Sequence, residues 1–371
     1  MTDKIYNIPA GCAFAEVLAG HFLREYRGRE LELTDVLFLL PNRRAVKALK
    51  DAFVRLQGLA PTLLPQMLPI GDVEEDELFL TGFDQSSALA TLAPAISRAE
   101  RLLLFTKIIM AKPIEYGIEK LAANQACYLA QELANLIDTV HNQGLSFDRL
   151  TDLVPEEYAV HWQETLKFLQ IITEYWPQIL AERQLIDASD RRNRLLRAQI
   201  DLWRQNPPVK RIVAAGTTAA FPLMKELVKT VLSLEKGELY LAGIDKFLED
   251  EAWEKIDETH PQHELKELLD YLTVRREDIP DLQAPENFGR EVLISEVMRP
   301  AATTEKWRDI AGKKIRHEAA DGITLVNCAD MREEALTIAL LLREAVETPE
   351  KTAALVTGDR NLARRVAAEL E

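Results

Sequence analysis

Residues 36–54 read VLFLLPNRRAVKALKDAFV, and this stretch decides the fold. A run of five apolar residues has the length of a buried strand, and Pro41 and Asn42 end it. Arg43 and Arg44 then open a segment whose apolar residues keep near-helical spacing. The stretch therefore predicts a strand, a turn and a helix, with two cations in the turn.

The same order occurs twice more along the chain. Residues 211–227, RIVAAGTTAAFPLMKEL, predict a short strand, a turn at Gly216-Thr217-Thr218 and a helix. Residues 353–370, AALVTGDRNLARRVAAEL, predict a strand, a turn at Gly358 and a helix. Three such units indicate an open parallel sheet whose ligand-facing turns lie at the carboxyl ends of the strands. Further strands are expected at residues 5–9, 67–70, 238–242 and 323–326.

Composition limits the class of protein. The chain has 371 residues, 47% of them hydrophobic, so it can form two or more domains with a sizeable core. Its net charge is −15, so a nucleic-acid site would have to be a local groove. The three cysteines are widely separated in sequence, which is typical of a reducing compartment. We find no signal peptide and no run of ~18 apolar residues, and we therefore expect a cytoplasmic protein without a membrane partner.

The pattern of predicted elements changes in the middle of the chain. Residues 97–205 carry only helical periodicity, including a tryptophan-containing stripe (Trp162 and Trp176) that favours a buried core over base stacking. We therefore predict an α/β domain from residues 1–96 and 206–298, with residues 97–205 as an all-helical insertion. Residues 299–304 are interpreted as a linker. Residues 305–371 are expected to begin a second α/β domain, with a capping box at Asp330 and Glu333, and to continue into a longer protein.

An α/β sheet with a helical insertion is the layout of a helicase motor, but the parts for ATP hydrolysis are missing. A phosphate-binding first turn requires G-x-x-x-x-G-K-[ST]. The first turn here, residues 8–14, IPAGCAF, has one glycine, no lysine and no hydroxyl. No nuclease motif is visible. The acidic run at residues 74–77 is interpreted as a solvated loop and the pair His260 and His263 as surface residues, so no metal site is predicted.

Several separated motifs resemble one known family. They are residues 8–14, IPAGCAF; 39–49, LLPNRRAVKAL; 68–78, LPIGDVEEDEL; 214–222, AAGTTAAFP; 260–270, HPQHELKELLD; 299–307, RPAATTEKW; 329–345, ADMREEALTIALLLREA; and 348–370, TPEKTAALVTGDRNLARRVAAEL. Together they resemble the N-terminal part of the AddB family, of the alphaproteobacterial type.

The resemblance implies a fold and a function. Members of the AddB family pair with AddA in a helicase–nuclease that resects double-strand breaks for recombination. Their N-terminal half is similar to a superfamily 1 helicase, often without working ATPase motifs. Their C-terminal part carries a RecB-type nuclease and an iron–sulfur cluster, and it lies outside this sequence. The resemblance thus implies an inactivated helicase-like fragment that is not itself an enzyme and needs no cofactor. Some members keep a phosphate-binding lysine in the first turn, which this chain lacks.

The resemblance also points to a DNA site. Residues 39–45, LLPNRRA, resemble helicase motif Ia, which contacts single-stranded DNA, and residues 214–222 resemble the motif III region. We expect Asn42, Arg43, Arg44, Thr217 and Thr218 to face one groove that holds the phosphates of a single strand. In the alternative interpretation Asn42 caps its helix and the arginines lie in water or pair with the acidic run.

Two other functions remain open at this point. The chain could be a scaffold that docks the motor subunit without touching DNA. It could also be an unrelated enzyme that binds a small phosphorylated ligand at the turn of Gly216 or Gly358.

Overall fold

The computed structural model describes residues 2–58, 63–70, 92–111, 121–147, 168–312, 317–349 and 351–371. The chain forms two compact units, Met1–Ala319 and Ala320–Glu371. None of the helices in the described ranges is both long and apolar enough to cross a bilayer.

The first unit contains a parallel sheet. Its described strands are β1 (Ile5–Ile8), β2 (Val36–Leu40), β3 (Gln66–Pro69), β4 (Arg211–Ala215) and β5 (Gly237–Ala242). Their spatial order is β1-β5-β4-β2-β3, and all four ladders are parallel. The predicted α/β class with an open parallel sheet is confirmed.

Helices surround this sheet and form the insertion. They are α1 (Phe14–Glu25), α2 (Arg43–Gln57), α3 (Arg98–Ala111), α4 (Ala123–Asn142), α5 (Trp176–Arg183), α6 (Ala188–Gln205), α7 (Pro222–Ser233), α8 (Asp250–Glu254), α9 (His263–Leu272) and α10 (Phe288–Val297). A π-helical turn spans Ile171–Tyr175, and 3-10 helices span Thr2–Lys4, Glu30–Asp35, Arg276–Asp278, Ala301–Gly312 and His317–Ala320.

Strand β2 lies between two hydrophobic cores. All five residues of β2 are buried. Phe38 and its even-numbered neighbours belong to the core formed with α1 and α2, whereas Leu37 and Leu39 belong to the core formed with α6, α7 and α9. Alternate strand residues point to opposite faces, so a continuous apolar run is what a strand covered on both faces requires.

The connections around β2 and β4 create a crevice at the sheet edge. The helix after β2 packs on one face, and the helix after β4 packs on the opposite face. The neighbouring strands β2 and β4 are therefore followed by helices on opposite faces of the sheet, and the chain leaves their carboxyl ends in opposite directions. Such a topological switch point is where open α/β sheets bind ligands.

The insertion is helical wherever the structure describes it. Its helices α3, α4 and α6 match the predicted positions. Within residues 121–147 and 168–200, the only residue in a β-bridge is Ile186, which pairs with Ala95. Trp176 is buried in the insertion core, as its spacing predicts, while Trp162 lies outside the described residues.

A buried ion network fastens these helices. Arg101 of α3 donates to both carboxylate oxygens of Asp138 in α4, at 2.8 and 2.6 Å, and to Asp187 at 3.2 Å. Trp176 Nε1 donates to the second oxygen of Asp187 at 2.8 Å. Asp187 is the residue before α6, but its side chain makes no cap hydrogen bond. Its two oxygens serve the network instead.

The predicted linker at residues 299–304 is wrong. Arg299 is buried and pairs with Glu296, and Thr303 is buried in the 3-10 helix Ala301–Gly312. Lys306 in the same helix pairs with Glu249 and Glu251 of the first unit. These contacts fasten the segment to the first unit, and the boundary between units falls at Ala319, later than the expected start at residue 305. Alanines and threonines resemble a linker in sequence, but they are small enough to pack closely.

The second unit consists of α11 (Met331–Glu347) and α12 (Arg360–Leu370), which share a small apolar core. Asp330 caps α11 as predicted, accepting from the backbone N–H of Glu333 at 2.9 Å. The strands expected at residues 323–326 and 353–357 are absent from the described residues. Leu325 is 85% exposed and Val356 is 93% exposed. An apolar run forms a buried parallel strand only when a neighbouring strand pairs with it and other elements cover both of its faces. The described residues of this unit provide neither.

Candidate nucleic-acid interface

Asn42 begins the turn after β2 and acts as a helix cap. Its backbone is extended, with φ −159° and ψ 173°, and its Oδ1 accepts the backbone N–H of Ala45 at 2.9 Å. A cap of this kind contributes about 1 kcal/mol to helix stability. The capping role anticipated for Asn42 is therefore present. The side-chain amide nitrogen is a separate donor, and the cap does not use it.

Arg43 and Arg44 are the first two residues of α2, and both side chains are exposed. The first turn of α2 contains no carboxylate. A helix N-terminus already carries a partial positive charge, so a cation there costs about 0.3–1 kcal/mol rather than stabilising. The helix dipole by itself therefore does not favour two arginines at this position. The helix end and the two guanidiniums together form a local anion-attracting site on an acidic protein.

The turn after β4 is built by its own side chains. Gly216 has a φ of +66°, and a side chain there would crowd the Phe14 ring at 3.3 Å. Thr217 is only 6% exposed, and its Oγ1 accepts the backbone N–H of Ala219 at 3.1 Å. The structure thus assigns Thr217 to the inside of the turn rather than to its surface. Its hydroxyl is therefore engaged within the turn, and its expected place among the residues that face a groove stays a prediction.

Thr218 is half-buried, and its hydroxyl donates to a carboxylate oxygen of Glu264 in α9. A phosphate at this hydroxyl would share the position with that carboxylate. The helix expected directly after these threonines begins only at Pro222, so its N-terminal amides do not lie beside Thr217 and Thr218. No short-range sequence signal reveals Glu264, which is 46 residues away from Thr218.

The two turns are nevertheless neighbours. Leu39 of β2 pairs with Ala214 of β4, and both strands end within a few residues at the same edge of the sheet. Neighbouring strands lie about 4.8 Å apart. The arginines after β2 and Thr218 after β4 therefore flank the crevice between β2 and β4, which we call the switch crevice.

A carboxylate of the chain itself occupies the first turn. The backbone N–H of Gly11 donates to Oε1 of Glu291 in α10 at 2.7 Å. A Cβ at position 11 would lie 2.9 Å from that oxygen, so a larger residue there would push the carboxylate aside. A phosphate at this turn would have to displace Glu291. The first turn therefore lacks a phosphate-binding lysine and hydroxyl, and its Gly11 amide is already hydrogen-bonded to Glu291.

The carboxyl edge of the sheet is therefore electrostatically divided. Glu291 lies at the end of β1 and Glu264 at the turn after β4, whereas Arg43 and Arg44 follow β2. An anion approaching this edge is repelled at one end and attracted at the other. The cationic end is the one beside β2.

The opposite, amino edge of the sheet also carries a cleft, with a volume of about 750 Å³. Its lining includes Lys210 and Lys236, but also Asp35 and Glu235. Lys210 is paired with Asp35 at 2.7 Å. The balanced charges give this cleft no preference for an anion, and its place at the amino ends of the strands is away from the switch crevice.

No known family model matches this chain, and no curated protein matches it.

Proposed function

We propose that this chain binds single-stranded DNA at the switch crevice. It would act as the helicase-like part of a subunit similar to the AddB family, in a cytoplasmic complex that repairs double-strand breaks with an AddA-like motor. The observation that carries this proposal is the placement of Arg43 and Arg44. Both are exposed at the start of a helix, at a topological switch point.

Phosphate chemistry fits these residues. Guanidinium groups bind phosphate oxygens with two parallel hydrogen bonds, and helix N-termini supply further N–H donors to anions. The amide nitrogen of Asn42 is a neutral donor of the kind that positions a nucleic-acid backbone. A strand held by phosphates alone would be bound without sequence preference.

The first turn supports a role without ATP hydrolysis. Its sequence lacks the phosphate-binding lysine and hydroxyl, and Glu291 accepts the Gly11 amide that a phosphate would need. We therefore propose that the motor activity belongs to the partner subunit and that this chain guides the strand.

The test is the salt dependence of binding to a fluorescein-labelled oligothymidylate. Each phosphate contact contributes about 0.7 to the slope of log K against log salt for a single strand. We expect Arg43→Ala/Arg44→Ala to reduce the slope by about 1.4, the value for two contacts. Arg27→Ala/Arg197→Ala removes two exposed arginines elsewhere and serves as the matched control. An unchanged slope in the first variant, with the protein folded, would contradict the proposal.

A scaffold that docks the motor subunit is the second candidate. It is favoured by exposed apolar residues on and just after α10, at Ile294, Val297 and Met298. A pure scaffold binds neither the oligothymidylate nor ATP, so the same titration separates the two functions. Binding of a sugar nucleotide instead would favour the small-ligand enzyme.

A further inference from the structure

The outer face of α2 carries a cationic stripe. Residues 43–57 contain five cations, Arg43, Arg44, Lys47, Lys50 and Arg55, against the single carboxylate of Asp51. The whole chain has a net charge of −15, so this helix runs against the overall balance. Arg43, Lys47 and Lys50 follow the spacing i, i+4 and i+7, which places them on one face.

The packing of α2 leaves this face in solvent. Val46, Leu49, Ala52 and Phe53 are buried against the sheet, whereas Arg44, Lys47 and Lys50 are exposed. Within the described ranges, none of these three cations takes part in an ion pair. Arg55, at the far end of the helix, is paired with Glu16.

Another arginine-rich helix shows that such cations are not always available. In α6, Arg191 donates to the carbonyl oxygen of Ala93, Arg192 to Asn142, Arg194 pairs with Asp190 and Arg204 pairs with Glu226. Each of these four guanidiniums has a partner within the protein, and that of Arg204 links α6 to α7. Among the residues that the structure describes, Lys47 and Lys50 have no comparable partner.

From this contrast we infer that the phosphate backbone of single-stranded nucleic acid runs from the switch crevice along the outer face of α2, over Lys47 and Lys50. This inference rests on the proposed function and extends its site. The stripe from position 43 to position 50 is about 10 Å long, and a single phosphate group is too small to span that length. The stripe therefore fits an extended polyanion rather than a single phosphate. Its first member, Arg43, lies at the crevice, so one strand can contact both regions.

The experiment compares three proteins, each as the full chain, by titration with the labelled oligothymidylate at several salt concentrations. Lys47→Ala/Lys50→Ala removes the two lysines of the stripe. Lys107→Ala/Lys236→Ala removes two exposed lysines on α3 and at the amino edge of the sheet. Lys47→Arg/Lys50→Arg keeps both charges. Alanine and arginine are both strong helix formers, and circular dichroism checks that each variant is folded.

We expect Lys47→Ala/Lys50→Ala to lower the salt slope by about 1.4, as two lost contacts require. The control pair and the arginine pair should keep the slope of the unmodified chain. If the slope is unchanged in Lys47→Ala/Lys50→Ala but still falls in Arg43→Ala/Arg44→Ala, the strand does not contact the stripe. That result would overturn this inference but not the proposed binding at the switch crevice. Failure of the unmodified chain to bind the oligothymidylate overturns both. Binding of polyglutamate that depends on Lys47 and Lys50, without binding of DNA, would assign the face to an acidic protein and also overturn the inference.

Discussion

Replacing Asn42 with aspartate separates its structural role from the DNA contact that we propose. Asparagine and aspartate cap helices equally well, so the bond to the Ala45 amide at 2.9 Å is kept. The new carboxylate faces the helix dipole and two arginines, and we expect it to stabilise α2 by about 0.3–1 kcal/mol. The same negative charge would offset roughly one cation of the site, and we expect the salt slope for single-stranded DNA to fall by about 0.7.

Asn42→Ala should have the opposite pair of effects. It removes the cap at a cost of about 1 kcal/mol but leaves the charge unchanged. Amide hydrogen exchange at residues 43–46 should become about fivefold faster, as about 1 kcal/mol implies, while the salt slope stays as in the unmodified chain.

The contrast between the two variants is the test. The assays are hydrogen exchange for the stability of α2 and fluorescence anisotropy with an oligothymidylate for binding. If Asn42→Asp binds DNA with the affinity and slope of the unmodified chain, no phosphate lies near this turn and the reasoning fails.

Three further predictions concern stability. Asp187→Ala should cost about 3 kcal/mol in chemical denaturation, because it leaves Arg101 short of a partner and the indole of Trp176 unpaired in a buried site. Burial raises the pKa of the Asp138 carboxyl, but the hydrogen bonds from Arg101 and Ser189 together with the charge of Arg101 outweigh burial and hold this pKa below its usual value. The contribution of Asp138 to stability is therefore present above the unfolded-state pKa and lost as the pH falls through the folded-state pKa. Asp138→Asn should flatten this loss in an acid titration. Gly237→Ala should cost about 3 kcal/mol or more in thermal unfolding, since its Cβ would lie 1.7 Å from a backbone oxygen of α7.

Each of these predictions has a matched control. Asp190→Ala removes a carboxylate from the surface pair with Arg194 and should cost less than about 1 kcal/mol. Glu100→Gln neutralises an exposed carboxylate paired with Arg183 and serves as the control for Asp138→Asn. Gly358→Ala adds a methyl group where nothing lies within 4 Å and should leave thermal unfolding nearly unchanged. Equal effects in a variant and its control would refute the structural cause given for it.

The sheet could be predicted because its signal is local. Five apolar residues followed by Pro41 and Asn42 define both a buried strand and the start of α2, and the structure places the helix at Arg43, as the sequence predicts. The cap of Asn42 on Ala45 is also a short-range feature. Helices of the insertion are predictable for the same reason, since each carries its own apolar periodicity.

Contacts between residues far apart in the sequence could not be predicted. Glu291 lies 280 residues from Gly11 and Glu264 lies 46 residues from Thr218, so no spacing rule connects them. The strands expected around Leu325 and Val356 fail because strand formation depends on a neighbouring ladder, which an apolar run cannot reveal. The stripe at Lys47 and Lys50 was visible in the sequence as i, i+3 cations, but only the burial pattern shows that it faces solvent.

The central claim is that single-stranded DNA contacts the turn after β2. Hydrogen exchange of the full chain with and without a saturating oligothymidylate tests it most directly. We expect slower exchange at residues 42–46, beside the switch crevice, and no change in α4 of the insertion. Protection confined to other regions, with residues 42–46 exchanging as in the free protein, would contradict it.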